Sequence, residues 1–294
     1  MACVRVAAIL AAYNRRDLTV ACLNSLRAQG VPDFVVDVYV LDDASVDGTS
    51  EAIARLFPEA RLLQGDGTFY WNGGMRAAFA AAMQGDYDYY LWLNDDVRLD
   101  ENAVQLLLET ERELTKRTSD PVLVSGATRD PVNGEVTYGG VVHPYRWRPL
   151  RSVLVQPGDQ PQPCDTIHGN VVLVPREVTR RIGNIDPAFI QLMGDFDYGL
   201  RARAAGCSVW LAPGTVGTCA QNPPPDESIR LLQAWSRLWS TKELALGPWA
   251  TYTRRWAGPL WPVYWLSPYM RRGVRAVMAR LPHRSQRADS QELR

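Results

Sequence analysis

Four times in the first 120 residues a strand-length apolar run gives way to a helical stretch, and this alternation constrains the fold more than any other feature of the chain. Residues 4–12 form the first run. Leu18, Cys22 and Leu26 then recur at four-residue spacing behind the polar group Asn14-Arg15-Arg16-Asp17, and Gly30 closes the segment. A buried strand, a polar cap and an amphipathic helix fit this order. Residues 35–41 predict a second strand, 45–57 a second helix stopped by Pro58, and 61–63 a short third strand. Gly65, Gly67, Gly73 and Gly74 predict a turn and a close backbone approach. An Ala-rich helix is expected over 75–83 and a fourth strand over 87–93. Asp100 is placed to cap a helix running to about Lys116. Strands and helices in strict alternation call for an α/β fold, a mainly parallel sheet flanked by helices on both faces.

Beyond residue 120 the pattern changes. Residues 122–125 predict a strand, and Asn133-Gly134 between short apolar stretches is a hairpin signal. Residues 145–163, rich in Pro and Arg, read as an irregular loop or edge ribbon. Further strands are expected over 166–174 and 209–212, and helices over 175–182 and 195–205. With 294 residues, 46% hydrophobic and 22% charged, the chain can bury a large core. Its formal net charge of zero gives no basic face for nucleic acid. Cys3, Cys22, Cys164, Cys207 and Cys219 are odd in number and lack CxxC spacing, which fits reduced thiols in a cytoplasmic protein rather than a disulfide frame. The opening residues superficially resemble a signal peptide, but their apolar stretch is short and runs straight into a helix start, so a first strand is expected.

Three acidic clusters stand where the apolar runs end. Asp42 and Asp43 follow the second strand, Asp95 and Asp96 the fourth, and Asp195 and Asp197 open a late helix. Carboxylates past the carboxyl ends of parallel strands project into the crevice where open α/β sheets bind ligands. One acid of the first pair can accept from a base N–H while the other ties the turn; helix capping is the competing reading. Adjacent Asp95 and Asp96 repel each other unless a cation neutralises them, and Mg²⁺ takes one or two carboxylates plus phosphate oxygens. Asp195 follows Gly194 and can accept a proton from a hydroxyl, although acids at a helix start are also favoured by its dipole. Trp71, Asn72, Gly73, Gly74 and Arg76 can line a sugar-nucleotide pocket, with Arg76 pairing with the diphosphate or else lying on the surface. His168 reads as a structural or pocket-edge histidine.

Together these segments resemble the family 2 glycosyltransferases of GT-A fold over about residues 4–220. VAAILAAYNR is similar to that family's first strand. The resemblance implies that Tyr13 stacks on the base, with Ala11 and Asn14 beside it; Ala11 stands where the family usually has Thr. LDDASVDGT carries base recognition to Asp43. LNDDV resembles the metal-binding Asp-x-Asp element, which puts Mg²⁺ or Mn²⁺ on Asp96 and Asp95 near the ribose. GDFDYGLRARAAG resembles the segment that supplies the base, placing it on Asp195, with Asp197 as the next candidate. HGNVVLVPREV resembles the acceptor-side strand. The late segment VGTCAQN has Cys219 where some GT-A enzymes offer a metal-binding His.

The resemblance implies an inverting, metal-dependent enzyme that moves a sugar from a UDP- or dTDP-sugar to a hydroxyl of a glycan or lipid-linked acceptor. It is most similar to enzymes of bacterial cell-surface polysaccharide assembly, rhamnosyltransferase-like members among them. Residues 1–120 would form the nucleotide-binding half and 121–220 the acceptor half. The alternatives are a sugar-nucleotide pyrophosphorylase, which would call for a Gly-rich loop that AAYNRRD lacks, and a non-catalytic glycan-binding subunit. Residues 221–294 form a helical appendage. It holds Trp235, Trp239, Trp249, Trp256, Trp261 and Trp265 interleaved with Arg254, Arg255, Arg271, Arg272, Arg275 and Arg280. Two readings are open: peripheral contact with the inner face of the cytoplasmic membrane, or packing on the core or on a second copy in a homodimer.

Overall fold

The computed structural model describes residues 3–29, 33–145, 147–222 and 245–278. Gly30, Trp235, Trp239 and Arg280 lie outside them. The nucleotide half runs β1 (Val4–Ala12), α1 (Arg16–Arg27), β2 (Phe34–Asp42), α2 (Thr49–Leu56), β3 (Arg61–Gln64), α3 (Tyr70–Ala82), β4 (Tyr89–Leu93), β5 (Arg98–Leu99) and α4 (Ala103–Thr118). The second half adds β6 (Val122–Arg129), β7 (Val136–Tyr138), β8 (Gly140–Val142), β9 (Val153–Leu154), β10 (Gln162–Pro163), β11 (Thr166–Ile167), β12 (Val171–Pro175), α5 (Arg176–Ile182), α6 (Gly194–Ala204) and β13 (Ser208–Thr218). The appendage holds α7 (Leu246–Trp256) and α8 (Trp261–Met278), joined by a 3-10 turn over Gly258–Leu260.

One sheet joins both halves in the order β10-β13-β6-β12-β4-β1-β2-β3. Strands β3, β2, β1 and β4 are mutually parallel, whereas β12 runs antiparallel between β4 and β6. A smaller sheet contains β11, β8 and β9. Side chains alternate across a strand, so β1 feeds two cores. Val6, Ala8 and Leu10 face Leu23, Leu26, Val104 and Leu107, while Ala7 and Ile9 face Met75, Phe79, Trp92 and Tyr198. Both faces of the central strands are covered, which is why their sequences are apolar throughout.

Several local expectations are corrected. Helix α2 starts at Thr49 rather than Ser45, because the amide of Ser45 donates to Asp42 Oδ1 and that of Thr49 to Asp47 Oδ1, tying the intervening loop. Helix α3 starts at Tyr70, so Gly73 and Gly74 lie inside it. A Cβ on Gly74 would sit 2.8 Å from the Ala11 methyl; this glycine serves close helix-to-strand packing rather than a turn. Asp100 does not cap α4. Its carboxylate takes both terminal nitrogens of Arg129, at 2.5 and 2.9 Å, and Asn102 occupies the cap position in left-handed conformation. The strand expected over 166–174 is split between the two sheets, with His168-Gly169-Asn170 at the break. The five cysteines are free.

Among the described residues, α7 and α8 pack with one face and leave the other open. Tyr252, Thr253 and Ala257 are buried, and Trp249 stacks on Tyr252 with ring centroids 5.7 Å apart. The indole N–H of Trp249 donates to the Trp265 carbonyl, and that of Trp265 to the Leu246 carbonyl, which ties α7 to α8. Among the described residues no helix is long and apolar enough to cross a membrane.

Candidate active site

A cleft of about 550 Å³ opens where β1, β2, β4 and the Gly169 turn end. Ala11, Tyr13 and Arg15 line it from β1 and its exit, Asp43 from β2, Asp95 and Asp96 from β4, and Asp195 from α6. Left-handed backbone marks this region: Asn14, Ala44, Tyr70 and Met193 all have φ between 51° and 70°. Such conformations cost about 1–3 kcal/mol each in non-glycine residues and gather where a site needs them.

The two acids after β2 divide their labour. Asp42 is fully buried and accepts from the Ser45 amide and the Ser50 hydroxyl, which ties the turn. Asp43 faces the cleft. Its two oxygens accept the Gly67 and Tyr70 amides at 2.8 and 2.9 Å, which fixes the carboxylate and leaves lone pairs for a further donor. Gly65 is required here, because a Cβ would come within 2.6 Å of Asp43 Oδ1.

Asp95 and Asp96 have a cation that the sequence reading overlooked. Arg15 Nη1 donates to Asp95 at 3.2 Å and to Asp96 at 2.9 Å. Burial drives the Asp95 pKa up to about 7, Arg15 opposes the rise, and Asp96 adds to it. Cys219 Sγ lies 3.4 Å from Asp96 Oδ1, and burial beside that carboxylate pushes its thiol up to about 12. Among the described residues no three acids, histidines or cysteines converge on one point. Two adjacent carboxylates on an open cleft nevertheless fit a hard divalent cation whose other ligands come from diphosphate and water.

The Asp95 shift fixes a sign. Its folded pKa exceeds the unfolded value of about 3.9, so the folded state holds the proton more tightly. The group's contribution to stability is greatest below pH 4 and is lost as pH rises towards 7. Asp95→Asn is therefore expected to raise unfolding free energy at pH 8 by on the order of 1–3 kcal/mol and to flatten that pH dependence. Urea melts at pH 5 and 8 test this; a less stable Asn variant at pH 8 would mean that the ion pair with Arg15 outweighs desolvation.

Asp195 also lines the cleft, from the first turn of α6. The Gly169 amide donates to its Oδ2 at 3.0 Å and the Phe196 amide to its Oδ1 at 2.9 Å. Burial raises its pKa, with nearby His168 and the two amides opposing. No arginine or lysine pairs with it among the described contacts, which leaves a carboxylate with enhanced basicity. His168 is held at the cleft edge between the rings of Tyr138 and Phe196, and burial lowers its pKa. Gly169 makes room for the wall, since a Cβ there would meet the Trp71 ring at 2.2 Å.

Asp197, two residues further on, is in a different situation. It is fully buried and accepts from Arg201 Nε at 2.7 Å, Arg255 Nη1 at 3.0 Å and the Trp256 indole N–H at 3.1 Å. Arg255 also donates to Asp186 at 2.6 Å. This carboxylate clasps α7 to α6 and has no opening to the cleft.

Other anticipated residues separate into wall and support. Trp71 lines the cleft, its indole N–H held by Asn94 Oδ1 at 2.8 Å. Asn14 supports from behind, accepting the Val46 amide and donating its own amide to Ser45. Asn72 is fully buried under Gly194, Gly74 packs on Ala11, and Arg76 is half-buried; none of these three lines the cleft. Residues that pattern reading missed are Arg15, Asn94, Asn170, Tyr138, Asn222 and the 191–193 segment. Only Arg15 had a visible signal, its place directly after Tyr13-Asn14.

Comparison with known proteins gives two kinds of match. Residues 7–138 match the family described as Glycosyl transferase family 2. Among solved structures, S. aureus TarS residues 1–349 superpose with a TM-score of 0.52 at 15% identity, covering 74% of this chain and 60% of that one. GalNAc-T7, in a structure with UDP, GalNAc and Mn²⁺, superposes with a TM-score of 0.57 at 13% identity, covering 80% of this chain and 48% of that one. The chain thus spans about half to three-fifths of the length of either structure. At such identities the likeness concerns the fold. No curated protein matches.

Proposed function

We propose, from the match of residues 7–138 to glycosyl transferase family 2 and from the cleft's lining, that the cleft binds a UDP- or dTDP-sugar and transfers its sugar, with inversion, to a hydroxyl of a glycan or lipid-linked acceptor. The observation that carries this reading is that Asp95, Asp96 and Asp195 line one cleft together with Tyr13 and Asp43. Tyr13, about half exposed, offers a ring to the base, Asp43 a fixed acceptor to a base N–H, and Trp71 and Gly67 complete the donor side. Asp96, with Asp95 beside it, would hold Mg²⁺ or Mn²⁺, which when bound supplies Lewis-acid neutralisation of a departing diphosphate. Asp195 accepts the proton of the attacking hydroxyl. The hydroxyl approaches the anomeric carbon opposite the leaving group, so the single base suffices and no enzyme nucleophile is required. The open face of α8 supports peripheral contact with a membrane, which would bring the cleft near a lipid-linked acceptor of a cell-envelope polysaccharide.

Nucleotide binding is expected to depend on divalent metal, and Asp96→Ala to weaken that dependence. Isothermal titration of UDP and dTDP with Mg²⁺ and with EDTA tests it. Equal affinity under both conditions in both proteins would refute the metal assignment.

A further inference from the structure

We propose that Tyr145, the loop over residues 147–151 and the open face of α8 form one continuous surface for an anionic lipid bilayer, with Trp147 as its anchor. The proposal rests on the reading that α8 meets a membrane, and adds to it an element from the acceptor half of the core.

The loop is held yet presents its aromatic outward. Trp147 is 66% exposed, although its carbonyl accepts the Tyr264 hydroxyl of α8 at 2.9 Å. Arg148 covers its ring at 4.2 Å, and Arg151 covers Tyr145 at 4.9 Å. An indole left in water on a fixed backbone, capped by guanidinium, is an arrangement that an interface rewards: the ring enters the acyl boundary while the arginine stays with headgroups. On α8, Val263, Leu266, Met270 and Val274 are exposed at helical spacing, with Leu260 just before them. Tyr264 adjoins this stripe, so its bond to Trp147 sets the loop alongside.

Charge selects the occupant. Residues 136–158 and 245–278 contain no Asp or Glu. Arg148, Arg151, Arg254 and Arg271 are exposed in them. A two-fold contact between copies of this chain would set these arginines against themselves, which is unfavourable. Anionic headgroups complement them, and the apolar stripe satisfies the other requirement of a helix lying in an interface. The loop follows β8, whose neighbour β11 leads directly into His168 and Gly169 of the cleft wall. An acceptor embedded in the bilayer would therefore arrive beside Asp195.

The test is flotation of the full chain with phosphatidylglycerol–phosphatidylcholine vesicles at low salt. The parent protein is expected to float and to release as salt rises past the Debye regime. Trp147→Ser should lower its partition coefficient about tenfold, the size of withdrawing one large side chain from an apolar contact, with an unchanged melting curve. A Val263→Ser, Met270→Ser double variant should fall as well. Parent-like flotation of Trp147→Ser, beside a loss in the α8 variant, would overturn the loop's role and leave the α8 reading standing. No flotation of the parent protein would overturn both. A dimer that Trp147→Ser dissociates, seen by light scattering, would reassign the surface to a second copy.

Discussion

Asp195→Asn is expected to lower sugar transfer by roughly 10²-fold or more while leaving nucleotide affinity nearly unchanged. Asp195 is held by the Gly169 and Phe196 amides, whereas Asp43, on the proposed donor side, is held by those of Gly67 and Tyr70. Burial raises its pKa, so its ionised form is a stronger base than an ordinary carboxylate. Activity should decline as pH falls through that raised pKa, and the Asn variant should lose this acid limb along with its rate. Asn retains one carbonyl for the Gly169 or Phe196 amide, so a melting curve accompanies the kinetics to separate lost basicity from lost structure. Parent-like turnover by the Asn variant would move the proton acceptor elsewhere. Asp197 is a poor substitute, because two arginines and an indole N–H already engage it away from the cleft.

The second large effect is on stability. Asp197→Ala should cost about 3–5 kcal/mol of unfolding free energy, the usual penalty for removing one partner from a buried ion pair. The carboxylate is fully buried, and its loss leaves Arg201, Arg255 and the Trp256 N–H short of an acceptor together. Asp197→Asn should cost less, since its carbonyl still serves one of the three. Urea melts of both variants measure this; a change below about 1 kcal/mol for Ala would show that water replaces the carboxylate without penalty.

Much of this molecule is legible in its sequence, and the legible parts share one property: they are local. The run over 4–12 is buried on both faces, so it reads as an unbroken apolar strand and matches β1 at both ends. The strand-end acids at 43, 95 and 96 meet in one cleft because parallel strands present their carboxyl ends together, and Asp195 joins them from the start of α6. What escaped depends on partners far along the chain. Asp100 looks like a cap until Arg129, on β6, claims it. Gly74 looks like part of a turn until Ala11 packs beneath α3. Arg15 looks like part of a helix start until β4 brings two carboxylates to it. Asp197 stands next to Asp195 as a second candidate in sequence, until Arg201 and the docking of α7 claim it.

The grip of Arg255 on both Asp186 and Asp197 joins the tail to the helix that carries Asp195. Asp197 lies less than one helical turn from Asp195, on the same helix. A displacement of α7, should α8 meet lipid, would act on α6 through this contact. Hydrogen exchange at the amides of 196 and 197 is therefore expected to slow on addition of vesicles if contact at α8 reaches the segment that follows Asp195.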